Sequence, residues 1–256
     1  MGLERFSLKG RVALITGASR GLGLAMARAL GEAGARVVIS SRSQADLDAA
    51  VATLRDAGVE AAARAFDVTD ESACRAAIAA TVHDQGSLDI LVNNAGMTLR
   101  HPLPQFPTTD FDRVIAVHLR GAFVLSREAV GGMIERRWGR IINIVSVVVR
   151  LGRATIPAYT AAKGGLDAMT RQMAIEFAAS GVTVNAIAPG YFETELNAPL
   201  LADREFVAAV NRRTPMARWA QPDELGGAAV FLASEAASYV TGHTLYVDGG
   251  LTVSLF

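Results

Sequence analysis

The chain is poor in several things, and each shortage removes a class of function. It has one cysteine, Cys74, in 256 residues, so it can form no internal disulfide and no cysteine-based metal centre. The window around it, D-E-S-A-C-R-A-A-I-A-A, has helical spacing, which reads as a packing thiol rather than a nucleophile. There is no charge excess: 25 basic and 25 acidic side chains give a formal net charge of zero. That leaves no electrostatic footprint for nucleic acid, and no basic run suggests a membrane surface. No apolar stretch approaches the ~20 residues needed to span a bilayer. The opening M-G-L-E-R-F-S-L-K-G-R lacks the apolar centre of a signal peptide, and despite Gly2 it matches a myristoylation site poorly. No repeat, low-complexity linker or second domain is visible. The expectation is one cytoplasmic domain over residues 1–256, with no nucleic-acid or membrane partner and no metal.

What is present is apolar content, 51% of the residues, enough for a large core. It is distributed as short runs that alternate with helical periodicities. Runs at 11–16 (R-V-A-L-I-T), 36–40, 60–66, 88–92 (L-D-I-L-V), 140–145, 182–188 and about 243–247 predict seven strands. Helices are expected after the first strand, with Leu22, Met26, Ala29, Leu30 and Ala33 on one face, and over 43–57, where Ser43 is the N-cap and Asp46 lies at N3. Others are expected over 70–85, from a cap at Thr108 or Thr109 to about Arg136, from near Tyr159 to about Ala179, and over 222–234. Such alternation predicts an α/β fold, a doubly wound parallel sheet of seven strands with helices on both faces. Residues 97–107 read as a loop with three prolines. Residues 191–220 have no clear place in the core and are expected to form a lid.

In this architecture ligands bind at the carboxyl ends of the strands, near the switch in strand order. Gly17–Gly23, Asn93–Gly96, Ser146 and Pro189-Gly190 all fall at predicted strand ends. The turn G-A-S-R-G-L-G lies between a strand and a helix. Its glycines let backbone approach a pyrophosphate, and the helix N-terminus offers free N–H groups and a positive dipole end. Tyr159 and Lys163 are four residues apart, so a helix presents phenol and ammonium on one face. A cation there lowers the phenol's pKa from ~10 and fits it for proton transfer to a carbonyl oxygen. The same spacing fits a surface tyrosine beside a solvated lysine. Ser146, at the mouth of a strand, is placed to hydrogen-bond the same oxygen.

The segment T-G-A-S-R-G-L-G, with N-N-A-G at 93–96 and S…Y-x-x-x-K at 146–163, resembles the short-chain dehydrogenase/reductase family over essentially the whole chain. The resemblance implies a Rossmann fold and a nicotinamide dinucleotide bound by Gly17, Ser19, Arg20, Gly21, Leu22 and Gly23. It adds an adenine contact at Asp67 and Val68, passage past Asn94, Ala95 and Gly96, and contacts near the nicotinamide from Pro189, Gly190, Phe192 and Thr194. Tyr159 becomes the acid/base, Ser146 the carbonyl partner, and Lys163 the holder of the ribose. The second strand ends in Ser40-Ser41-Arg42, without the carboxylate that would bind a ribose 2′-hydroxyl. Ser41 and Arg42, with Arg20 in reach, suit a 2′-phosphate, so NADP(H) is expected over NAD(H).

One catalytic position departs from the family: V-H-L-R-G places His118 where asparagine is usual. Within the family the chain is similar to gluconate 5-dehydrogenases and related sugar-acid reductases, on stretches such as R-H-P-L and I-A-P-G-Y-F-E-T-E-L-N-A. That resemblance implies a small-molecule keto sugar acid as substrate, with Arg100 and then Arg153 as candidates for its carboxylate. The apolar flank Val147, Val148, Val149 and Ile156 also suits a bulkier ketone, as in a general ketone or 3-oxoacyl reductase. A nucleotide-binding protein without turnover is the third reading, kept by His118. The resemblance also implies a homotetramer or homodimer, to which the apolar tail L-T-V-S-L-F would contribute.

Overall fold

The computed structural model describes residues 2–255. Seven parallel strands form one sheet in the order β3-β2-β1-β4-β5-β6-β7. They are β1 (Val12–Thr16), β2 (Arg36–Ser41), β3 (Ala61–Ala65), β4 (Ile90–Asn93), β5 (Gly139–Ile144), β6 (Val182–Pro189) and β7 (Thr244–Val247). β1 pairs with both β2 and β4, so the strand order reverses there and a crevice opens at their carboxyl ends.

Successive residues along the central strands serve opposite faces, and both faces are buried. Ala13, Ile15, Val37, Ile39, Val92 and Ile144 pack on one side against Met26 and Leu30 of α1 (Gly21–Glu32), Leu47 and Leu54 of α2 (Gln44–Asp56), and Leu232 of α9 (Gly226–Ala233). Leu14, Val38, Leu91, Ile141 and Val184 face α3 (Glu71–Gln85), α5 (Gly121–Glu135) and α6 (Pro157–Phe177). Cys74 is part of that second layer, where burial pushes its thiol up to about 11, so it stays a protonated packing group. The remaining helices are α4 (Thr108–Ile115), α7 (Ala198–Leu201), α8 (Arg204–Arg213) and α9 (Gly226–Ala233). None of the described helices is long and apolar enough to cross a membrane.

The predicted elements are all present, and most of their ends shift by a residue or two, while the α-helix expected from 222 begins at Gly226. Ser43 caps α2 by accepting from the Asp46 N–H, as the spacing predicts. The expected helix over 108–136 differs in two ways. Its N-cap is Pro107, with no side-chain cap, rather than Thr108 or Thr109. It is also interrupted by a π-helical turn, Ala116–Arg120, between α4 and α5. Residues 222–225 are a 3-10 turn that leads into α9. Segment 191–220 holds α7, α8 and one isolated bridge, Phe192 with Ala220.

A buried polar network sets the spacing of β4, β5, α5 and α6 beneath the crevice. The Asn93 side-chain amide donates to Asn143 Oδ1 at 2.8 Å and to Ser126 Oγ at 3.1 Å. The Asn143 amide donates to Thr170 Oγ1 at 2.9 Å. Removing the middle member strands a buried donor and a buried acceptor. Asn143→Ala is expected to lower stability by about 2–4 kcal/mol in urea denaturation.

Candidate active site

One cavity of about 510 Å³ runs along the carboxyl ends of the strands. Most of the residues singled out in the sequence border it: Gly17, Ser19 to Gly23 of the turn, Ser41, Arg42, Asp67, Val68, 94–96, Arg100, His118, Ser146, Arg153, Tyr159, Lys163, Pro189, Gly190, Phe192 and Thr194, while Asn93 and Val149 do not. They come from eight separate stretches of chain, so the fold and not local sequence assembles them.

Its dinucleotide end is built tightly. Gly17 has φ +63°, and a Cβ there would lie 2.8 Å from Ala95 Cα. A Cβ on Gly23 would lie 2.5 Å from the Gly17 carbonyl oxygen. The turn therefore closes onto itself and leaves helix α1 to start at Gly21 with no side-chain cap. Its first N–H groups suit an anion in the adjoining cavity. The turn is braced from β4. Thr16 Oγ1 accepts from the N–H groups of Asn94 and Ala95, both at 3.0 Å, and the Asn94 side-chain amide donates to the carbonyls of Thr16 and Gly17 at 2.8 and 3.0 Å. Asn94 thus works through the backbone it holds. At the end of β2, Ser41 Oγ is engaged with Ser43, while Arg42 is exposed and makes no ion pair or hydrogen bond among the described residues. Arg20 pairs with Glu195 at 3.2 Å, across the cavity mouth. These residues fit an NAD(P) dinucleotide: a phosphate-sized turn that no Cβ could enter, a free helix N-terminus and an unpaired cation at the ribose end.

The reactive end is assembled by β5, α6 and the π turn. Ser146 follows β5, and Tyr159 and Lys163 lie on the first two turns of α6, which starts at Pro157. The Lys163 ammonium donates to the Ile144 carbonyl and lies 5.6 Å from the Tyr159 ring centroid. Burial pulls Lys163 down to about 7. Burial also raises the Tyr159 phenol, and the Ser146 hydroxyl only partly offsets this. The net direction at Tyr159 is therefore upward, against the lowering expected from Lys163. Desolvation of the buried phenol sets the direction.

His118 is buried, and its ring meets the Tyr159 ring edge-on, 5.2 Å between centroids at 90°. Its Nε2 is 2.7 Å from the Met97 carbonyl oxygen and 3.0 Å from the Met97 nitrogen, while Nδ1 has no partner. The π turn widens the helix just where this ring must be aimed. A Cβ on Gly96 would lie 2.5 Å from His118 Cε1. Sequence reading gave Gly96 to the cofactor; the structure shows that its missing side chain also makes room for this imidazole.

At the outer end, Arg100 and Arg153 border the cavity from two loops. The loops are tied by the His101 N–H, which donates to the Thr155 carbonyl at 3.0 Å. Thr155 has φ +70°, an uncommon conformation for a β-branched residue and a mark of local strain. Sequence reasoning missed Arg113, which also borders the cavity, although it stands four residues before Val117 on the same helical face. It also missed the aromatic cluster Tyr191, Phe206 and Trp219, whose members are too far apart in sequence to announce a contact.

Burial holds His118 at about 3, below its ordinary 6.5, with Lys163 acting in the same direction. A depressed folded value means stability that is present above 6.5 and lost as the pH falls towards 3. His118→Asn is expected to flatten that acid limb. Denaturant unfolding at pH 7 and pH 4 checks it: the wild type should lose more stability than the variant between the two.

The chain is similar to known proteins along nearly its whole length. A family profile described as enoyl-(acyl carrier protein) reductase matches residues 17–252. The chain is 44% identical over 252 residues to the 5-keto-D-gluconate 5-reductase of Escherichia coli K12, covering 98% of this chain and 99% of that one. It is 46% identical to a gluconate 5-dehydrogenase from Burkholderia cenocepacia, solved in complex with NADP and tartrate, with a TM-score of 0.95 and 99% of each chain covered. A short-chain type dehydrogenase/reductase from Mycobacterium marinum is 32% identical, with a TM-score of 0.94 over 98% of this chain and 99% of that one.

Proposed function

The chain belongs to the short-chain dehydrogenase/reductase family, and from that membership we propose an NADP(H)-dependent oxidoreductase that interconverts a ketone and a secondary alcohol on a keto sugar acid of the 5-keto-D-gluconate type. The observation that carries the substrate class is charge. The whole chain is neutral, yet Arg20, Arg42, Arg100, Arg113, Arg153 and Lys163 border the cavity against only Asp67 and Glu195. One of those two acids is already paired with Arg20. Such a cleft concentrates anions. A dinucleotide phosphate accounts for the end near Arg42, and a carboxylate accounts for the end near Arg100 and Arg153. The names of the 5-keto-D-gluconate 5-reductase and gluconate 5-dehydrogenase relatives support the same substrate class.

The bound nicotinamide supplies the hydride for reduction and accepts it for oxidation. The protein's part is proton transfer and positioning. Tyr159 gives its phenolic proton to the carbonyl oxygen in reduction and recovers it in oxidation. Ser146 orients that oxygen, and Lys163 holds the ribose beside them. Arg42 pairs the 2′-phosphate, which favours NADP(H). Segment 191–220 acts as a lid. The exposed Tyr239, Val253 and Leu255 support a homo-oligomer, a tetramer or a dimer. Leu251 is already buried within the chain, and Phe256, the last residue of the tail, lies outside the described residues. A second reading, a general ketone or 3-oxoacyl reductase, is favoured by one feature: Val147, Val148 and Ile156 give the cavity an apolar wall.

The test is NADPH consumption with 5-keto-D-gluconate and with a neutral bulky ketone, using Tyr159→Phe as the blank. Turnover of the keto acid, lost at least a thousandfold in the blank, is expected. Turnover of the neutral ketone alone would replace this reading with the second. Because burial raises Tyr159 above its ordinary 10.0, the phenol form persists through neutral pH. Reduction should therefore hold its rate to about pH 10 and fall beyond it, while oxidation climbs over the same range. Arg42→Ala is expected to raise KM for NADPH about 10- to 100-fold and leave KM for NADH nearly unchanged.

A further inference from the structure

Arg153 differs from most arginines of this protein in what surrounds it. Arg218 is doubly bound to Glu224, and Arg127 pairs with Glu71 and Glu128. Arg153 makes no ion pair and no hydrogen bond among the described residues. Its partner is an aromatic surface: the guanidinium carbon lies 4.5 Å from the Phe206 ring centroid and 5.9 Å from that of Tyr191. Phe206 stands on helix α8, within segment 191–220. It is set against Tyr191 at 5.8 Å and the buried Trp219 at 6.4 Å, and those two rings are 5.0 Å apart.

An arginine on an aromatic face keeps its in-plane N–H donors free. Arg153 borders the cavity that Arg100 also borders, and neither arginine has an ion pair among the described residues. Arg100 is an exposed residue whose guanidinium pKa is lowered, first by partial desolvation and then by the positive charge of Arg153. The His101–Thr155 hydrogen bond keeps the two loops together despite this repulsion. One anion placed between the two guanidiniums relieves the repulsion and satisfies both.

We propose that Arg153 is a specificity-determining residue that reads the substrate's negative charge, and that Phe206 is a positioning residue that holds it from the lid. The inference rests on the keto-acid reading above and adds to it a coupling between charge and lid. An acidic substrate draws on Arg153, and Arg153 carries the face of α8 with it. A neutral substrate of the same shape makes no such demand, so lid docking becomes part of acid selection.

The experiment compares 5-keto-D-gluconate with its amide, which differs in lacking the charge, in the NADPH-loaded enzyme. Phe206→Leu removes the ring and keeps an apolar side chain. It is expected to raise KM for the acid roughly tenfold, to move KM for the amide less than twofold, and to leave the NADPH dissociation constant unchanged. Phe206→Tyr, which keeps the ring face, should restore KM for the acid, and Arg153→Met should reproduce the acid-selective loss. Equal KM increases for acid and amide in Phe206→Leu would overturn the proposal, because they mark a general packing role. No change in either would also overturn it. A wild-type enzyme that treats acid and amide alike sinks the keto-acid reading, and the proposal falls with it. A wild type that discriminates sharply, with Phe206→Leu acting on both substrates, sinks only the proposal. Should turnover be slow with both, D-gluconate titrated into the NADP+ complex of a Trp138→Phe background, which leaves Trp219 as the one tryptophan, gives a second readout through its fluorescence. Weaker binding in Phe206→Leu than in the wild type is the expected result there, and equal binding overturns it.

Discussion

The contact that the crevice depends on is the one between the ends of β1 and β4. Thr16 and Asn94 exchange their polar groups there, hydroxyl to backbone N–H and side-chain amide to backbone carbonyl. These bonds leave no freedom in the spacing of the two strands at the point where strand order reverses. Everything that faces the cavity is referred to that spacing. Gly17 and Gly23 close onto Ala95 and onto each other with less room than a methyl group needs. The start of α1 follows from that closure. The next layer, Asn93 to Asn143 to Thr170, carries the same alignment across β5 to α6. The helix that bears Tyr159 and Lys163 is thus tied to the phosphate turn through side-chain amides rather than through apolar packing alone.

Electrostatics inside this frame follows burial more than pairing. Lys163, Tyr159 and His118 are each pushed towards their neutral forms, the first to about 7 and the last to about 3. Tyr159 and His118 are neutral at physiological pH, and Lys163 is divided between its charged and neutral forms. The cations that stay fully charged lie further out: Arg42 at one end, Arg100 and Arg153 at the other. The cleft therefore has anion-binding ends and a more weakly charged centre. That division suits a substrate and a cofactor that carry their charge away from the reacting carbon.

Much of this was legible in the sequence, and the reasons differ from element to element. The inner strands were readable because both faces of the sheet are buried there, which turns them into nearly continuous apolar runs, whereas the edge strands β3 and β7 are only partly buried. The Gly-rich turn was readable because its steric demand admits only glycine at Gly17 and Gly23. Tyr159 and Lys163 were readable because helical spacing alone places them on one face. The π turn at Ala116–Arg120 was not, since its period differs from an α-helix by one residue in a single turn, and Gly121 directly after it is equally at home inside a helix. The Pro107 cap was missed because two threonines follow it and threonine is the commoner cap. Tertiary pairings left no local trace. Arg20 with Glu195, Gly96 with His118 and Arg153 with Phe206 each join segments that only the fold brings together.

The π turn and His118 belong to one argument. An asparagine at this position has a separate donor and acceptor, which together could serve both polar groups of Met97. An imidazole offers a single nitrogen, Nε2, to both the Met97 N–H and its carbonyl, and can satisfy one at a time. The other nitrogen is turned into the interior without a partner. The substitution thus gives up a hydrogen bond in a buried place, and it persists because the ring gains contacts that an amide lacks. It lies edge-on to Tyr159 and fills the space left open by Gly96. His118 exchanges polar satisfaction for packing against the reactive phenol, and that exchange fits a residue that acts by fixing the position of Tyr159 rather than by carrying charge.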